Sequence, residues 1–115
     1  MKDVREALRS ELESRGYHVA SDTIASRGEL YVMADNDLAA ALFEFKPNVR
    51  EAMDTMYQGS WVEGLPPRFA VMPKSAVADP SFELLEQMRI IPLLYELTAE
   101  GVRFIDLESA SELLP

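Results

Sequence analysis

The chain has 115 residues, of which 48% are hydrophobic, and its 20 acidic and 11 basic side chains give a formal net charge of −9. This length and composition predict one domain over residues 1–115 and exclude an intrinsically disordered chain, and the apolar runs are too short to span a membrane. Cysteine is absent, which excludes disulfides and thiol catalysis and is compatible with the cytoplasmic location that we expect.

Hydrophobic periodicity predicts helices and strands in alternation along the chain. In order, the predicted elements are helix 2–15, strands 17–20, 29–34 and 38–46, helix 47–58, strand 68–72, a helix from Asp79-Pro80 to Met88, strands 90–97 and 102–107, and a closing helix 109–114. Asp3 can cap the first helix, Gly16 suits its exit, and Pro47 can open the second helix. This order of elements indicates an α/β fold in which helices cover the faces of a mixed sheet.

The hairpin at the centre of this order holds the residues that bear most on function. Asp35-Asn36-Asp37 separates its two strands, and these residue types tolerate the left-handed backbone of tight turns. A two-residue turn at Asn36-Asp37 pairs Glu29 directly with Glu44 across the hairpin. A three-residue loop would instead pair Gly28 with Glu44 and turn Glu29 away. The register therefore decides whether the two glutamates meet.

Glu29, Glu44 and Lys46 form a candidate metal site on one face of this hairpin. Two facing carboxylates repel each other, and a divalent cation between them turns that repulsion into binding. Glu29 and Glu44 would hold the metal, and Lys46 would orient the attacking water or neutralise charge that develops on a scissile phosphate. The simpler interpretation is a salt bridge between Lys46 and one carboxylate. The opposite face of the hairpin is predicted core, with Leu30, Val32, Phe43 and Phe45.

The identity of the metal follows from the available ligands. His18 is the only histidine in the chain, so a His-rich centre and a Ser-His-Asp triad are excluded, and we expect His18 to be structural. Carboxylate ligands suit hard ions such as Mg²⁺ or Mn²⁺.

Three segments carry a resemblance to a known family: Glu13-Ser-Arg-Gly-Tyr17 with the strand after it, Gly28 to Asp37, and Leu42-Phe-Glu-Phe-Lys46. With them the chain resembles the PD-(D/E)XK, or restriction-endonuclease-like, nucleases, in pattern above all the archaeal Holliday junction resolvases and related small nucleases. In that family an acid opens the first hairpin strand and E-x-K closes the second, the places of Glu29 and Glu44-Phe45-Lys46. The first acid is glutamate where aspartate is commoner. Asp35 or Asp37 is the alternative motif acid, although both fall in the predicted turn.

The resemblance implies a restriction-endonuclease-like domain, with a mixed central β-sheet flanked by helices. It implies Mg²⁺- or Mn²⁺-dependent cleavage of DNA phosphodiesters that leaves a 5′-phosphate, with the metal at Glu29, Glu44 and Phe45. Glu6 is the nearest match to a helix glutamate that joins the metal site in the family, and Gln58 resembles a glutamine of several branches. One active site per chain implies a homodimer or a partner protein when both strands of a duplex are cut.

Several other side chains could contact nucleic acid. Arg50, Arg68 and Lys74 follow the candidate site and could touch phosphates, or they are scattered surface charges. Trp61 could stack on a base or anchor the loop 59–67 against the core.

The net charge leaves a rival function open. Nucleic-acid binders are usually basic, because phosphate contacts supply most of their affinity. Either the basic residues cluster on one face, or the acidity is an adaptation to a high-salt host, where salt screens repulsion from DNA. The rival is an acidic, non-enzymatic interaction module, such as an inhibitor, an immunity-type protein or a catalytically inactive nuclease relative. A third possibility is an accessory subunit that uses the apolar loop around Trp61 as its interface.

Overall fold

The computed structural model of the chain describes residues 4–21, 29–34, 38–56 and 66–114. The strands in these ranges are β1 (His18–Ser21), β2 (Leu30–Met33), β3 (Ala39–Phe45), β4 (Arg68–Pro73), β5 (Ile90–Thr98) and β6 (Gly101–Ile105). The helices are α1 (Val4–Ser14), α2 (Val49–Met56), α3 (Leu84–Gln87) and α4 (Leu107–Ser111), with a 3-10 helix at Lys74–Ala78. The strands form one sheet in chain order, from β1 at one edge to β6 at the other.

The sheet is mixed, as the order of elements predicts. β1, β2 and β3 are antiparallel neighbours, β3, β4 and β5 run parallel to one another, and β6 returns antiparallel to β5. Parallel neighbours need a long connection rather than a tight turn. Helix α2 lies in the connection from β3 to β4, and the 3-10 helix and α3 lie in the connection from β4 to β5. The α/β class predicted from the sequence is therefore confirmed.

The sequence of α1 explains its buried face and its end. Leu8 and Leu12 lie one helical turn apart and are fully buried, whereas Glu11 and Glu13 face solvent. The chain leaves the helix at Gly16, as predicted, with φ at 92°. Glycine adopts this left-handed conformation without the steric cost that a side chain brings.

The sheet separates two apolar cores. The buried residues of the first core, under α1 and α4, are Leu8, Leu12, Val19, Leu30, Val32, Ala41, Phe43, Phe69, Val71, Leu93, Leu107 and Ala110. Those of the second, under α2 and the short helices, are Val49, Ala52, Met56, Ala70, Met72, Ala76, Leu85 and Ile90. Phe43 and Phe69 lie side by side on β3 and β4, and their rings stack with centroids 4.6 Å apart. The predicted core face of the central hairpin is confirmed, and Phe45 packs at its margin, half-buried.

Helix α2 begins differently from the prediction. It starts at Val49, and the side-chain oxygen of Asn48 accepts the backbone N–H of Glu51 at 2.8 Å. That bond satisfies one of the donors that a first helical turn leaves free, so Asn48 is the cap. Pro47 precedes the helix and does not open it.

The helix predicted from Asp79-Pro80 to Met88 is much shorter in the structure, where only the four residues of α3 are α-helical. The Asp79 carboxylate accepts the backbone N–H of Ser81 at 2.8 Å, which favours a turn over a helix. Arg89 adopts a φ of 58° just after the helix. At the other end of the sheet, Asp106 has a φ of 61°, so β6 ends and α4 begins earlier than predicted.

Strand β5 extends beyond its antiparallel neighbour. All of Ile90–Tyr95 pairs with β4, but pairing with β6 begins only at Leu94. Pro92 lies in the part of β5 that β6 does not reach.

Some predicted features lie outside the described residues. They are the cap Asp3, the turn Asn36-Asp37, Gln58 and Trp61. Within the described ranges no helix is long and apolar enough to cross a membrane.

Candidate functional site

The central hairpin pairs in the register that brings the two glutamates together. Leu30 of β2 lies directly opposite Phe43 of β3. Glu29 precedes Leu30 and Glu44 follows Phe43, so continuing this register places the glutamates opposite each other. Both are nearly buried, with 9% of each residue exposed.

The ladder is irregular close to the predicted turn Asn36-Asp37, which itself lies outside the described residues. Ala34 donates its N–H to the Leu38 carbonyl at 2.9 Å, which leaves residues 35–37 between the last bonded pair. The ladder shifts by a β-bulge beside Met33. A bulge adds one residue to one strand, and beyond it the pairs from Val32 with Ala41 to Leu30 with Phe43 keep the register in which the glutamates meet.

Glu44 lies between two basic side chains on the face of the sheet that α2 covers. Its Oε1 atom is 3.5 Å from Nζ of Lys46, and its Oε2 atom is 3.8 Å from Nη2 of Arg68. Side chains alternate along a strand, so Lys46 shares this face with Glu44. Arg68 reaches it because β4 pairs with β3 in parallel, with Glu44 opposite Ala70. The Glu44 carboxylate therefore has a positive charge beside each oxygen.

Arg68 also contacts helix α2. Its guanidinium donates a hydrogen bond to the carbonyl of Met56, the last residue of that helix. A helix C-terminus carries a partial negative charge from its free carbonyls, so a cation is favourable there. The Arg68 side chain is only 12% exposed, and both partners lie inside the protein. The sequence suggested either a phosphate contact or a surface charge for Arg68. The guanidinium instead lies between Glu44 and the end of α2.

Glu29 has a different environment. Its Oε2 atom accepts a hydrogen bond from the hydroxyl of Tyr31 at 3.1 Å. Within the described ranges no basic side chain forms an ion pair with Glu29. Glu29 is thus a nearly buried carboxylate that is hydrogen-bonded but lacks a described counter-charge.

The two glutamates open into one cavity, which we call the carboxylate pocket. It has a volume of about 440 Å³ and is lined by Glu29, Glu44, Phe45, Lys46 and Thr55. The Phe45 side chain packs against the first core, so Phe45 presents its main chain to the pocket. A larger cavity of about 630 Å³ lies between α1, β6 and α4, away from both glutamates.

Three residues that lie beside the glutamates were not predicted there from the sequence. Tyr31 could have been found, because it follows Glu29 by two positions and so shares its face. Thr55 lies on α2, and its hydroxyl donates to the Glu51 carbonyl at 2.6 Å. The hydroxyl oxygen can still accept hydrogen bonds from other groups. Arg68 depends on the parallel register of β4, which local sequence does not reveal.

The structure does not bring the other candidates to the pocket. Glu6 is exposed on α1, which covers the opposite face of the sheet. The Arg50 side chain is 88% exposed and lies 3.7 Å from Asp54. The Lys74 side chain is 64% exposed and lies 3.6 Å from Glu96.

The ligands of the pocket fit a hard divalent cation. Mg²⁺ is commonly held by one or two carboxylates, with water and substrate oxygens in its other positions. Glu29 and Glu44 supply two such carboxylates. Among the described residues no three His, Cys, Asp or Glu side chains are grouped as a metal site, so Glu6 does not complete a set of three.

Comparisons of the chain with protein-family models, with curated proteins and with solved structures gave no match. The assignment of a function therefore depends on the geometry of the pocket.

Proposed function

We propose that this chain is a metal-dependent nuclease of the restriction-endonuclease-like type, which hydrolyses DNA phosphodiester bonds in the carboxylate pocket. One observation carries the proposal. Two nearly buried glutamates from facing strands and a lysine line a single pocket. Burying two like charges together is unfavourable for folding alone, and a site for a cation explains the arrangement.

Each residue of the pocket has a role in this proposal. Glu29 and Glu44, with the main chain of Phe45, would hold Mg²⁺ or Mn²⁺. The bound ion would polarise the phosphate and lower the pKa of its water. Lys46 would place its ammonium group against a phosphate oxygen and neutralise the charge that develops there. Tyr31 would fix the rotamer of Glu29 through its hydrogen bond.

Arg50 and Lys74 are exposed and remain the predicted phosphate contacts. Each chain offers one carboxylate pocket within the described residues, so cutting both strands of a duplex would need a homodimer or a partner protein.

The test begins with calorimetric titration of Mg²⁺ and of Mn²⁺, at low and high salt, into the parent, Glu44→Ala and Lys46→Ala. Glu13→Ala is the matched control, because Glu13 is an exposed glutamate of α1. We expect saturable binding to the parent and the control, and none to Glu44→Ala. Cleavage of junction, flap and duplex DNA should fall at least about a hundredfold in Glu44→Ala and in Lys46→Ala. Equal cleavage by parent and variants would refute the proposal.

A second function is favoured by a different observation. The Glu44 carboxylate already has a basic side chain beside each oxygen, as in a site that needs no metal. Together with the net charge of −9, this supports an acidic interaction module or a catalytically inactive nuclease relative. Absence of metal binding at both salt concentrations would favour this second function, and the next step would be to identify a basic protein partner.

A further inference from the structure

The two basic side chains beside Glu44 differ in how firmly they are held. Arg68 and Lys46 flank opposite oxygens of the carboxylate, at 3.8 and 3.5 Å. Only Lys46 borders the carboxylate pocket, and only Arg68 is hydrogen-bonded to a helix. This difference bears on how the pocket would take up a cation, and that part of the inference rests on the proposed function.

Arg68 is held in place by a contact outside the carboxylate pocket. Its guanidinium is bonded to the Met56 carbonyl at the end of α2, and the side chain is 12% exposed. It does not line the carboxylate pocket. A planar guanidinium with several donors can satisfy a helix carbonyl and a carboxylate at the same time.

Lys46 is held on the pocket side by a single contact. Its Nζ atom lies beside Oε1 of Glu44 and the residue lines the carboxylate pocket. Within the described ranges it forms no other ion pair or side-chain hydrogen bond. A lysine side chain has a flexible stem, so its ammonium group can leave Oε1 without disturbing the backbone.

We propose that Arg68 is the built-in counter-cation of the pocket. It is a positioning residue, tied to α2, that holds Oε2 of Glu44. Lys46 is then the cation that a metal displaces from Oε1. Arg68 then has two opposite effects. It stabilises the metal-free fold by compensating a nearly buried carboxylate. It also weakens the binding of an external cation, because its positive charge stays close to the site.

The first experiment measures the stabilising effect on the metal-free protein. Unfolding by urea is compared for the parent, Arg68→Met, Glu44→Gln and the double variant. We expect Arg68→Met to raise the unfolding equilibrium constant at least about fivefold more in the parent than in the Glu44→Gln background. Equal effects in both backgrounds would overturn the assignment of Arg68 to Glu44. If Arg68→Met does not fold, Arg68→Gln serves in its place, because it removes the charge and keeps a donor for the Met56 carbonyl.

The second experiment measures the effect on cation binding, with Mn²⁺ alone as the probe. Arg68→Met should bind Mn²⁺ about tenfold more tightly than the parent, although its metal-free form is less stable. Arg103→Met, which removes an arginine that is 72% exposed and lies on β6, should bind as the parent does. A residue with a merely structural role would leave Mn²⁺ affinity unchanged or lower it, and either result would overturn the proposal.

The two experiments separate this inference from the proposed function. Coupling between Arg68 and Glu44 without any Mn²⁺ binding would refute the metal site and the displacement of Lys46, and retain the counter-cation. Binding of Mn²⁺ to the parent without coupling would retain the metal site and refute the role of Arg68.

Discussion

Glu29 and Glu44 are equally buried, with 9% of each exposed, but their charges are compensated differently. Glu44 has Lys46 and Arg68 beside it, whereas Glu29 has the hydroxyl of Tyr31. Removing one partner from a buried ion pair leaves the other charge uncompensated, which costs more than the pair itself contributes. A buried carboxylate without a counter-charge is itself unfavourable.

Neutralising these two glutamates should therefore change stability in opposite directions. Glu44→Gln leaves two basic groups near the pocket and should lower the free energy of unfolding by about 3 kcal/mol. Glu29→Gln keeps an acceptor for Tyr31 and removes a charge, so it should raise that free energy by up to about 1 kcal/mol. Urea unfolding of the metal-free variants measures both. A loss of stability in both variants would contradict the difference between the two environments.

Tyr95 is the described residue whose ionisation depends most clearly on burial. It lies half-buried on β5 opposite Phe104, and burial raises the pKa of its phenol above the ordinary value of 10.0. Burial disfavours the charged phenolate in the folded state.

This raised pKa predicts a loss of stability in alkaline solution. In the unfolded chain Tyr95 loses its proton near pH 10, while the folded protein still holds it. The unfolded state then binds fewer protons, so the free energy of unfolding falls as the pH rises from about 10 through the pKa of the folded state. Tyr95→Phe should show a smaller fall over this range and no difference in pH dependence near neutrality. Urea unfolding at a series of pH values measures the two slopes, and identical slopes would contradict the prediction.

At the scale of elements, α2 connects the hairpin to the rest of the site. Its N-terminus is capped by Asn48, three residues after the end of β3, the strand that carries Glu44. Its C-terminus is bonded to Arg68. The cap thus stabilises the first turn of the helix, and Arg68 ties its last residue to the side chain of Glu44.

Removal of the cap should destabilise α2. Asn48→Ala loses the acceptor for the Glu51 N–H and should lower the free energy of unfolding by about 1 kcal/mol. Asn48→Asp keeps an acceptor oxygen and should remain within about 0.3 kcal/mol of the parent. Thermal and urea unfolding of the two variants provide the comparison. Equal losses in both would show that the cap bond contributes nothing.

The helices, strands and core face of the hairpin were predictable because apolar residues repeat with helical or strand periodicity. The helix in the segment 79–88 was predicted too long, because the turn at Asp79 competes with the helical pattern of the leucines that follow. The register that brings the glutamates face to face passes a bulge beside Met33, and the turn Asn36-Asp37 on which its prediction depended lies outside the described residues. Neither the bulge nor the contact of Glu44 with Arg68 of β4 can be predicted from local sequence.

At the scale of the whole molecule, the sheet has an open stretch along β5. β6 pairs with it only from Leu94 onward, so residues 90–93 have no described strand partner on that side. The bonds of β4 alternate between its neighbours, and the Val71 carbonyl accepts the N–H of Lys46, the residue after β3. Ala70 therefore bonds toward β5, and the nitrogen of Pro92, opposite Ala70, faces the open side. A proline there removes a donor that a second chain could pair with.

Replacing this proline should promote self-association. Pro92→Val restores a backbone N–H on the open side of β5 and should associate at a protein concentration several-fold lower than the parent does. Pro80→Val, in an exposed turn before α3, is the control and should behave like the parent. Sedimentation velocity over a concentration series detects the difference. Equal association of the two variants would contradict a protective role for Pro92.

The parallel pairing of β3 and β4 also has a consequence for the order in which the protein folds. Glu29 and Glu44 belong to a local hairpin, which forms with little loss of chain entropy, whereas Arg68 joins them only after the whole connection from β3 to β4 has closed. The contact between Arg68 and Glu44 is therefore expected to form after the folding barrier. Arg68→Met should then speed unfolding while leaving the refolding rate nearly unchanged, as stopped-flow kinetics in urea can measure. The lifetime of the folded state, rather than the speed of reaching it, would depend on this arginine.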